Sequence, residues 1–391
     1  MGFSTSWPPL GFSCCRHASQ RREEAGSAGL GPKGHYGRGL RRQRLRYAEK
    51  GMILVDGSLG EGGGQVLRTA LALSLATGEP FRIQRIRARR PRPGLGRQHL
   101  TAVQAAAEVG EAEVEGAALG STTLTFRPRR LRGGDFSWEV GTAGSVGLVL
   151  QAVLPALLVA SHASRLKLSG GTHNPQAPPY EFLSLVLFPF LRRMGVAVEG
   201  KLEAYGFYPA GGGRVQVEVR PADKLLPVVA EQRKEVRRCS ALALLARLPR
   251  KVGERELAVV RRELGWEEGA VVEVESPGPG NALLLMVEGE EFAEVVTGFG
   301  TKGVPAEQVA QRACDAMGRF LAASVPVGEH LADQLLVPLA LAGGGRFRTL
   351  PLSLHTRTVI EVVRAFLPVE VMVSAHPDGS EVVELVTGGV A

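Results

Sequence analysis

Glu61 is the first side chain in the sequence whose setting invites chemistry. It sits in GSLGEGGG (57–64), three glycines follow it, and Arg68 comes seven residues later. A Gly-rich turn that opens a helix aims backbone N–H groups outward, which favours phosphate. A carboxylate repels phosphate unless a cation lies between them, so Glu61 with Gly62–Gly64 and Arg68 suggests a metal–nucleotide site. A surface turn with a solvated Glu and an exposed Arg accounts for the same spacing, and the residues alone leave both open. A second anion-favourable helix start lies close by. FRIQRIRARRPRPG (81–94) carries Arg87, Arg89, Arg90 and Arg92, and Arg97-Gln98-His99 then occupy the first turn of an apolar-periodic segment ending at Gly110. Far downstream, His355 stands where a short strand hands over to a helix that Thr356 is placed to cap.

The elements that would position these groups follow from periodicity. ILVD (53–56) reads as a short buried strand, and Gln65–Thr77 as a helix ended by Gly78 at the C′ position. Residues 111–140 read as strands with charged turns. Ala143–Ala160 reads as a buried helix with Gln151 its lone amide; Gln151 and Pro155 interrupt the run, so it is not a membrane span. A strand at Arg165–Ser169, a helix around Phe182–Met194 and a strand within 206–219 follow. Triple-glycine turns recur at 62–64, 211–213 and 343–345, a pattern of repeated α/β units of sixty to eighty residues. From about Leu225 to Val325 charge rises and strand and helix signals keep alternating, which predicts a smaller inserted α/β module. The domain expectation is therefore a large unit from 52–224 and 326–391, interrupted by 225–325.

Composition narrows the function classes. The net charge of +8 is a terminal property: residues 1–51 hold ten basic and three acidic side chains, and the other 340 hold 37 and 36. A nearly neutral body argues against a plain nucleic-acid-binding module. Residues 1–51 lack an apolar period and read as a disordered basic extension, either a nucleic-acid-binding arm or translation from a start upstream of Met52; the strand directly after Met52 favours the second. Cys14, Cys15, Cys239 and Cys314 fit neither a metal spacing nor a disulfide framework, so a cytoplasmic setting is expected.

Seven longer motifs carry a resemblance over 53–391. They are DGSLGEGGGQVLR, RPGLGRQHLTAV, GTAGSVGLVLQAVLPAL, SGGTHNPQAPP, GFYPAGGGRV, HLADQLLVPLALAGGG and LHTRTVIEVV. Together, in this order, they resemble the RNA 3′-terminal phosphate cyclases. The resemblance implies an α/β fold with a large domain of three repeated units, each a four-stranded sheet with two helices, plus the small insert. It also implies an ATP-dependent enzyme that converts an RNA 3′-phosphate into a 2′,3′-cyclic phosphate through a histidine–AMP and an RNA(3′)pp(5′)A intermediate. On that pattern His355 is the nucleophile and Glu61 the ligand of Mg²⁺, with Mn²⁺ as an alternative. Arg68, Gln98, His99, Gln151, Pro178 and the segment His330, Leu331, Ala332, Asp333 and Gln334 match ATP-binding positions. Arg87 and Arg90 match the RNA-phosphate site, whereas Arg89 and Arg92 read as a solvated basic turn. His330 departs from the aromatic residue usual opposite Pro178, and Thr356 and Arg357 also differ from the pattern. The expected partners are RNA with a 3′-phosphate end and ATP, with no membrane; a homodimer is compatible with the sequence, which does not fix the oligomeric state. A non-catalytic cyclase-like factor of ribosomal RNA processing is disfavoured by His355, Glu61 and Gln334. An enolpyruvyl transferase, which shares the repeated-unit architecture, is disfavoured by the lack of evident phosphoenolpyruvate-site signatures.

Overall fold

In a computed structural model, residues 51–387 are described, and the expectations for 1–50 lie outside them. The first unit runs β1 (Ile53–Asp56), α1 (Gln65–Thr77), β2 (Phe81–Gln84), α2 (Arg97–Val109), β3 (Glu113–Glu115) and β4 (Leu124–Arg127). The second runs β5 (Asp135–Glu139), α3 (Val146–Leu157), β6 (Ser164–Gly170), a composite helix, β7 (Ala197–Ala204) and β8 (Gly213–Arg220). The composite helix is α4 (Tyr180–Phe182), a π-helical stretch (Leu183–Leu187) and α5 (Phe188–Arg193). The third begins with β9 (Val229–Ala230). The chain then leaves it for β10 (Val236–Ala246), α6 (Lys251–Leu264), β11 (Gly269–Glu273), β12 (Gly280–Gly289), β13 (Ala293–Phe299) and α7 (Ala306–Ala323). It returns with α8 (Glu329–Leu341), β14 (Gly344–Thr349), α9 (Leu354–Phe366), β15 (Val369–Ala375) and β16 (Glu381–Thr387).

Each unit is a strand–helix–strand–helix–strand–strand run folded into a four-stranded sheet. The strand orders are β1-β2-β4-β3, β5-β6-β8-β7 and β9-β14-β16-β15. In all three the first two strands pair parallel and the other pairings are antiparallel. The parallel pair needs a crossover helix, and the hairpin that follows does not, which is why each unit spends its helices early. The excursion to β10–α7 falls in the first crossover of the third unit. Val229–Ala230, within the segment expected to form the insert, instead pairs with Arg346–Phe347 of β14.

The inserted strands form their own sheet, β11-β10-β12-β13. Alternate residues divide its two faces. Ala241, Ala243, Leu283 and Leu285 join Leu257, Met317 and Phe320 in a separate core under α6 and α7, while Leu244, Ala246, Ala282 and Leu284 belong to the main core. A sheet covered on both faces reads as the unbroken apolar run ALLLM rather than an alternating one.

The three first helices meet at the centre, where α1 packs on α3 and both touch α8. That position explains their composition. Val66, Leu67, Ala70, Leu71, Ala72, Leu73 and Leu75 are buried on several faces of α1, and α3 is still more apolar. Such helices suit a core, not a half-exposed surface. No helix among the described residues is long and apolar enough to cross a membrane. Gly78 ends α1 at φ 77°, donating its N–H to Ser74 O, as the C′ glycine rule expects.

One boundary near His355 differs from expectation. The strand stops at Thr349, α9 begins at Leu354, and His355 is the second helical residue. Ser353, extended at φ −65° and ψ 162°, is the N-cap, its Oγ accepting from Thr356 N at 3.2 Å. Thr356 is completely buried one turn inside. A serine two residues before the histidine can bend back onto the helix start; a buried threonine already in the helix cannot.

Phe81 ties the first unit to α9. Its ring lies 5.8 Å from Phe126 and 5.9 Å, edge-on, from Phe366 at the end of α9. Truncation by Phe81→Ala is expected to cost about 3–5 kcal/mol, read as a lowered urea midpoint; an unchanged midpoint would contradict this packing.

Candidate active site

The Gly-rich loop after β1 is pressed from two sides at its glycines. A Cβ at Gly60, which sits at φ 58°, would fall 1.9 Å from Thr358 Oγ1 of α9. At Gly64 a Cβ would meet His99 Nε2 at 2.2 Å and Arg68 Nη1 at 2.8 Å. The glycines therefore let α1, α2 and α9 approach one another around the loop. Gly64 and Gly96 stand at the N-caps of α1 and α2 with no side-chain cap, in contrast to Ser145 on α3 and Ser353 on α9. Two uncapped helix starts flanked by Arg68, Arg87 and Arg90 form an anion-favourable corner.

His355 projects into this corner from the first turn of α9. Its Nε2 is 3.1 Å from Glu61 Oε2, which Arg90 Nη2 also approaches at 3.3 Å. Its Nδ1 faces Gln65 Oε1 in a short contact. The Gln65 Nε2 in turn donates to Asp333 Oδ2 at 2.8 Å. Arg68 donates from Nε to Gln151 Oε1 at 3.3 Å. Gln65, Arg68, Gln151, Asp333 and Gln334 line one cavity of about 50 Å³.

Burial sets the charges here. Desolvation brings the Arg68 guanidinium down to about 10, with Asp333 opposing the shift, so it stays charged at neutral pH. Desolvation raises the Asp333 carboxyl from 3.8 to about 7 against the pull of Arg68 and of the Gln65 hydrogen bond. Desolvation, then Arg68 and Arg87, holds His99 at about 3, so its ring is neutral at physiological pH. Burial, then Arg90, lowers Arg87. His99 Nδ1 and Gln334 Oε1 are buried polar atoms without a hydrogen-bond partner, and such atoms are costly unless a ligand satisfies them.

The remaining expected residues divide. Arg87 donates to Gly94 O at 2.8 Å and shapes its own loop, while Arg89, exposed as expected, also donates to Gly60 O at 2.7 Å. Gln98 Oε1 accepts from Ser145 N at 2.7 Å, joining the starts of α2 and α3. Pro178 flanks Gly147, a cavity-lining residue; a Cβ there would meet Pro178 O at 3.3 Å. His330 is exposed at the start of α8, next to the buried Leu331 and Ala332, whose side chains point into the core. Gln334 donates from Nε2 to His330 O at 3.2 Å.

For a divalent ion the donor set is sparse. Glu61 lies within the glycine loop, the Asp56 carboxylate at its start accepts from Ser58 N and Oγ, and among the described residues no group of three or more His, Cys, Asp or Glu could hold a metal. This suits an ion that arrives with nucleotide phosphates and keeps several waters, as Mg²⁺ does, rather than one caged by protein.

Two features escape a reading by motif. Gln65 bridges His355 and Asp333, although from the sequence it is simply the opening of α1; its signal is that it lies one turn before Arg68, on the same helix face. Gln151 and Gln334 each precede an in-helix proline by four residues, Pro155 and Pro338. That shared QxxxP spacing marks them as equivalent positions of two repeated units.

Asp333 gives the site a pH signature. Because its folded-state value lies above the unfolded one, its contribution to stability is present in full below about pH 4 and is lost as pH rises through about 7. Urea midpoints measured between pH 4 and 8 should fall more steeply with pH in the native protein than in Asp333→Asn; identical slopes would refute the assignment.

Sequence comparisons agree with this architecture. The family model described as "RNA 3'-terminal phosphate cyclase" matches residues 59–373. A protein of that name from Koribacter versatilis is 50% identical over 343 residues, 86% of this chain and 97% of its own. Those from Ectopseudomonas mendocina and Ralstonia nicotianae are 49% and 50% identical over 326 and 332 residues, covering 83% and 84% of this chain and 95% and 96% of theirs. A match over most of the chain, at half the residues identical and nearly the full length of each relative, makes this protein a member of the RNA 3′-terminal phosphate cyclase family.

Proposed function

We propose that the protein uses ATP to close an RNA 3′-terminal phosphate into a 2′,3′-cyclic phosphate, with His355 carrying AMP in between. The observation that carries this reading is the convergence of His355 Nε2 on Glu61 at 3.1 Å, beside the glycine loop and under Arg68 and Arg90. A neutral imidazole is a competent nucleophile near neutral pH, and its phosphoramidate is labile enough to pass AMP onward.

In the first step the His355 Nε2 lone pair attacks the α-phosphorus; an N–P bond forms, the bond to the bridging oxygen breaks and pyrophosphate leaves. Arg68, charged and buried, is placed to offset the charge that builds on the phosphates, where low dielectric makes it effective. Neutral His99 contributes a hydrogen bond rather than a charge. A divalent ion bound with the nucleotide at Glu61 would neutralise phosphate oxygens. In the second step an oxygen of the RNA 3′-phosphate attacks the AMP phosphorus and the N–P bond breaks, restoring His355. In the third the adjacent 2′-hydroxyl, losing its proton, attacks the RNA phosphorus and AMP leaves. Arg87 and Arg90 suit the terminal phosphate through always-charged, fork-shaped contacts.

Incubation with ATP labelled at the α-phosphate, with Mg²⁺, should yield acid-labile labelled protein that is absent in His355→Ala. Failure of the native protein to label with any of several divalent metals would overturn the reading. Glu61→Ala should label most poorly at low Mg²⁺ and recover as Mg²⁺ rises; an unaltered metal dependence would remove Glu61 from the metal's surroundings.

A further inference from the structure

We infer that Glu294 of the insert is a positioning residue for the nucleotide site: its buried carboxyl fixes where α8 begins, and so where α8 presents His330, Asp333 and Gln334. The inference rests on the reading of those three residues as ATP-binding. It gives the insert a part in the reaction although none of its residues lines the cavity beside Arg68.

α8 opens without a cap of its own. Its N-cap is Gly328, extended at φ −79° and ψ 171°, with no side chain to turn back onto the helix. That conformation is open to any residue, so backbone freedom does not account for the glycine. Space does: a Cβ at Gly328 would overlap both Oε2 and Cδ of Glu294. The carboxyl lies directly against the helix start, and only glycine leaves room for it.

Glu294 sits in β13 opposite Val287, on the face that the insert turns to its own core, while the next residue, Val295, belongs to the main core. Its Oε1 accepts from Val295 N at 3.1 Å, and Oε2, the oxygen nearest Gly328, has no hydrogen-bond partner. Desolvation raises the carboxyl to about 8 against the Val295 amide, and the Glu329 charge adds to the rise, so the group is neutral at pH 7. A leucine would fill such a place without the cost of burying a polar group. β13 is also held from its other end. Arg193 of α5 donates to Glu291 O at 2.7 Å just before the strand, and the strand packs on the π-helical stretch. The insert thus reaches from the composite helix of the second unit to α8 of the third. A helix moves as a rod, so a shift at Gly328 is carried to His330 two residues on and to Asp333 and Gln334 little more than a turn later.

The contact makes a steric prediction that separates it from general support of the fold. Gly328→Ala sets a methyl group against the carboxyl, and should raise the KM for ATP in self-labelling about 10-fold with the maximal rate little changed. Glu294→Ala should raise it similarly, because the helix start loses its stop. In the double variant the two effects should not add, since removing the carboxyl makes room for the methyl group. Glu294→Gln, neutral and of the same shape as the protonated carboxyl, should keep the native KM at pH 7. Leu257→Ala, in the insert's core under α6, should lower the urea midpoint and leave KM unchanged.

Additive effects in the double variant, an unaltered KM in Gly328→Ala, or an equal rise in Leu257→Ala would each overturn the inference. Hydrogen exchange at the first amides of α8 reads the same contact without nucleotide. It should quicken in Glu294→Ala but not in Glu294→Gln or Leu257→Ala, and equal exchange in all three would sink the proposal. If the native protein does not label, the reading of the ATP chemistry fails, while exchange still decides whether Glu294 holds the start of α8.

Discussion

Putting a guanidinium and a carboxylate out of water at the junction of apolar helices is the constraint around which this site is built. Arg68 on α1 and Asp333 on α8 line one cavity whose other walls are mostly leucine, valine, alanine and proline, with Gln65, Gln151 and Gln334 among them. Isolated charges there would be prohibitively costly, so each is engaged: Arg68 with Gln151, Asp333 with Gln65, and the two with each other electrostatically. Pairing is incomplete in one respect that bears on function. Asp333 sits well above the ordinary carboxylate range and two nearby polar atoms, His99 Nδ1 and Gln334 Oε1, lack partners. Buried polar atoms left without a partner are costly unless something further satisfies them.

The repeated unit explains why the constraint can be met. Three copies of one strand–helix order bring three first helices to a common centre, each supplying polar groups from comparable positions: Gln65 and Arg68 from α1, Gln151 from α3, Asp333 and Gln334 from α8. Second helices add the rest, Gln98 and His99 at the start of α2 and His355 at the start of α9. The insert enters through the crossover between β9 and α8, a connection at the surface of the third sheet, and keeps a core of its own under α6 and α7. A crossover lengthened at the surface leaves the parallel pairing of β9 with β14 intact, so the third unit keeps the topology of the other two.

Much of this was legible in the residue order, and for definable reasons. A helix apolar on several faces, a strand alternating every second residue, and a C′ glycine are local signals that depend on neighbours within one turn, so α1, β8 and Gly78 stand where the pattern puts them. Residue type does not separate Ser353 from Thr356 as the cap of α9, because both are competent caps. The difference between them is burial, which the local pattern does not carry. Arg89 illustrates the same limit: it is exposed, as an arginine in a basic turn should be, but the contact with the carbonyl of Gly60, 29 residues away, is not written in its neighbourhood. Leu331 and Ala332 lie in a segment expected to bind nucleotide, yet in a helix neighbouring residues face different ways, and these two face the core.

By itself the sequence determined the family, the α/β class and the list of polar groups available, because long motifs and short-range periodicity survive without any knowledge of contacts. Only the tertiary structure decided how those groups are partnered. Gln65 and His355 are 290 residues apart, and nothing in either neighbourhood states that an amide will face an imidazole. That meeting depends on α1 packing against α9 and on glycines small enough to let the helices close, and it is this long-range geometry that turns a set of residue types into an ordered chain of donors and acceptors.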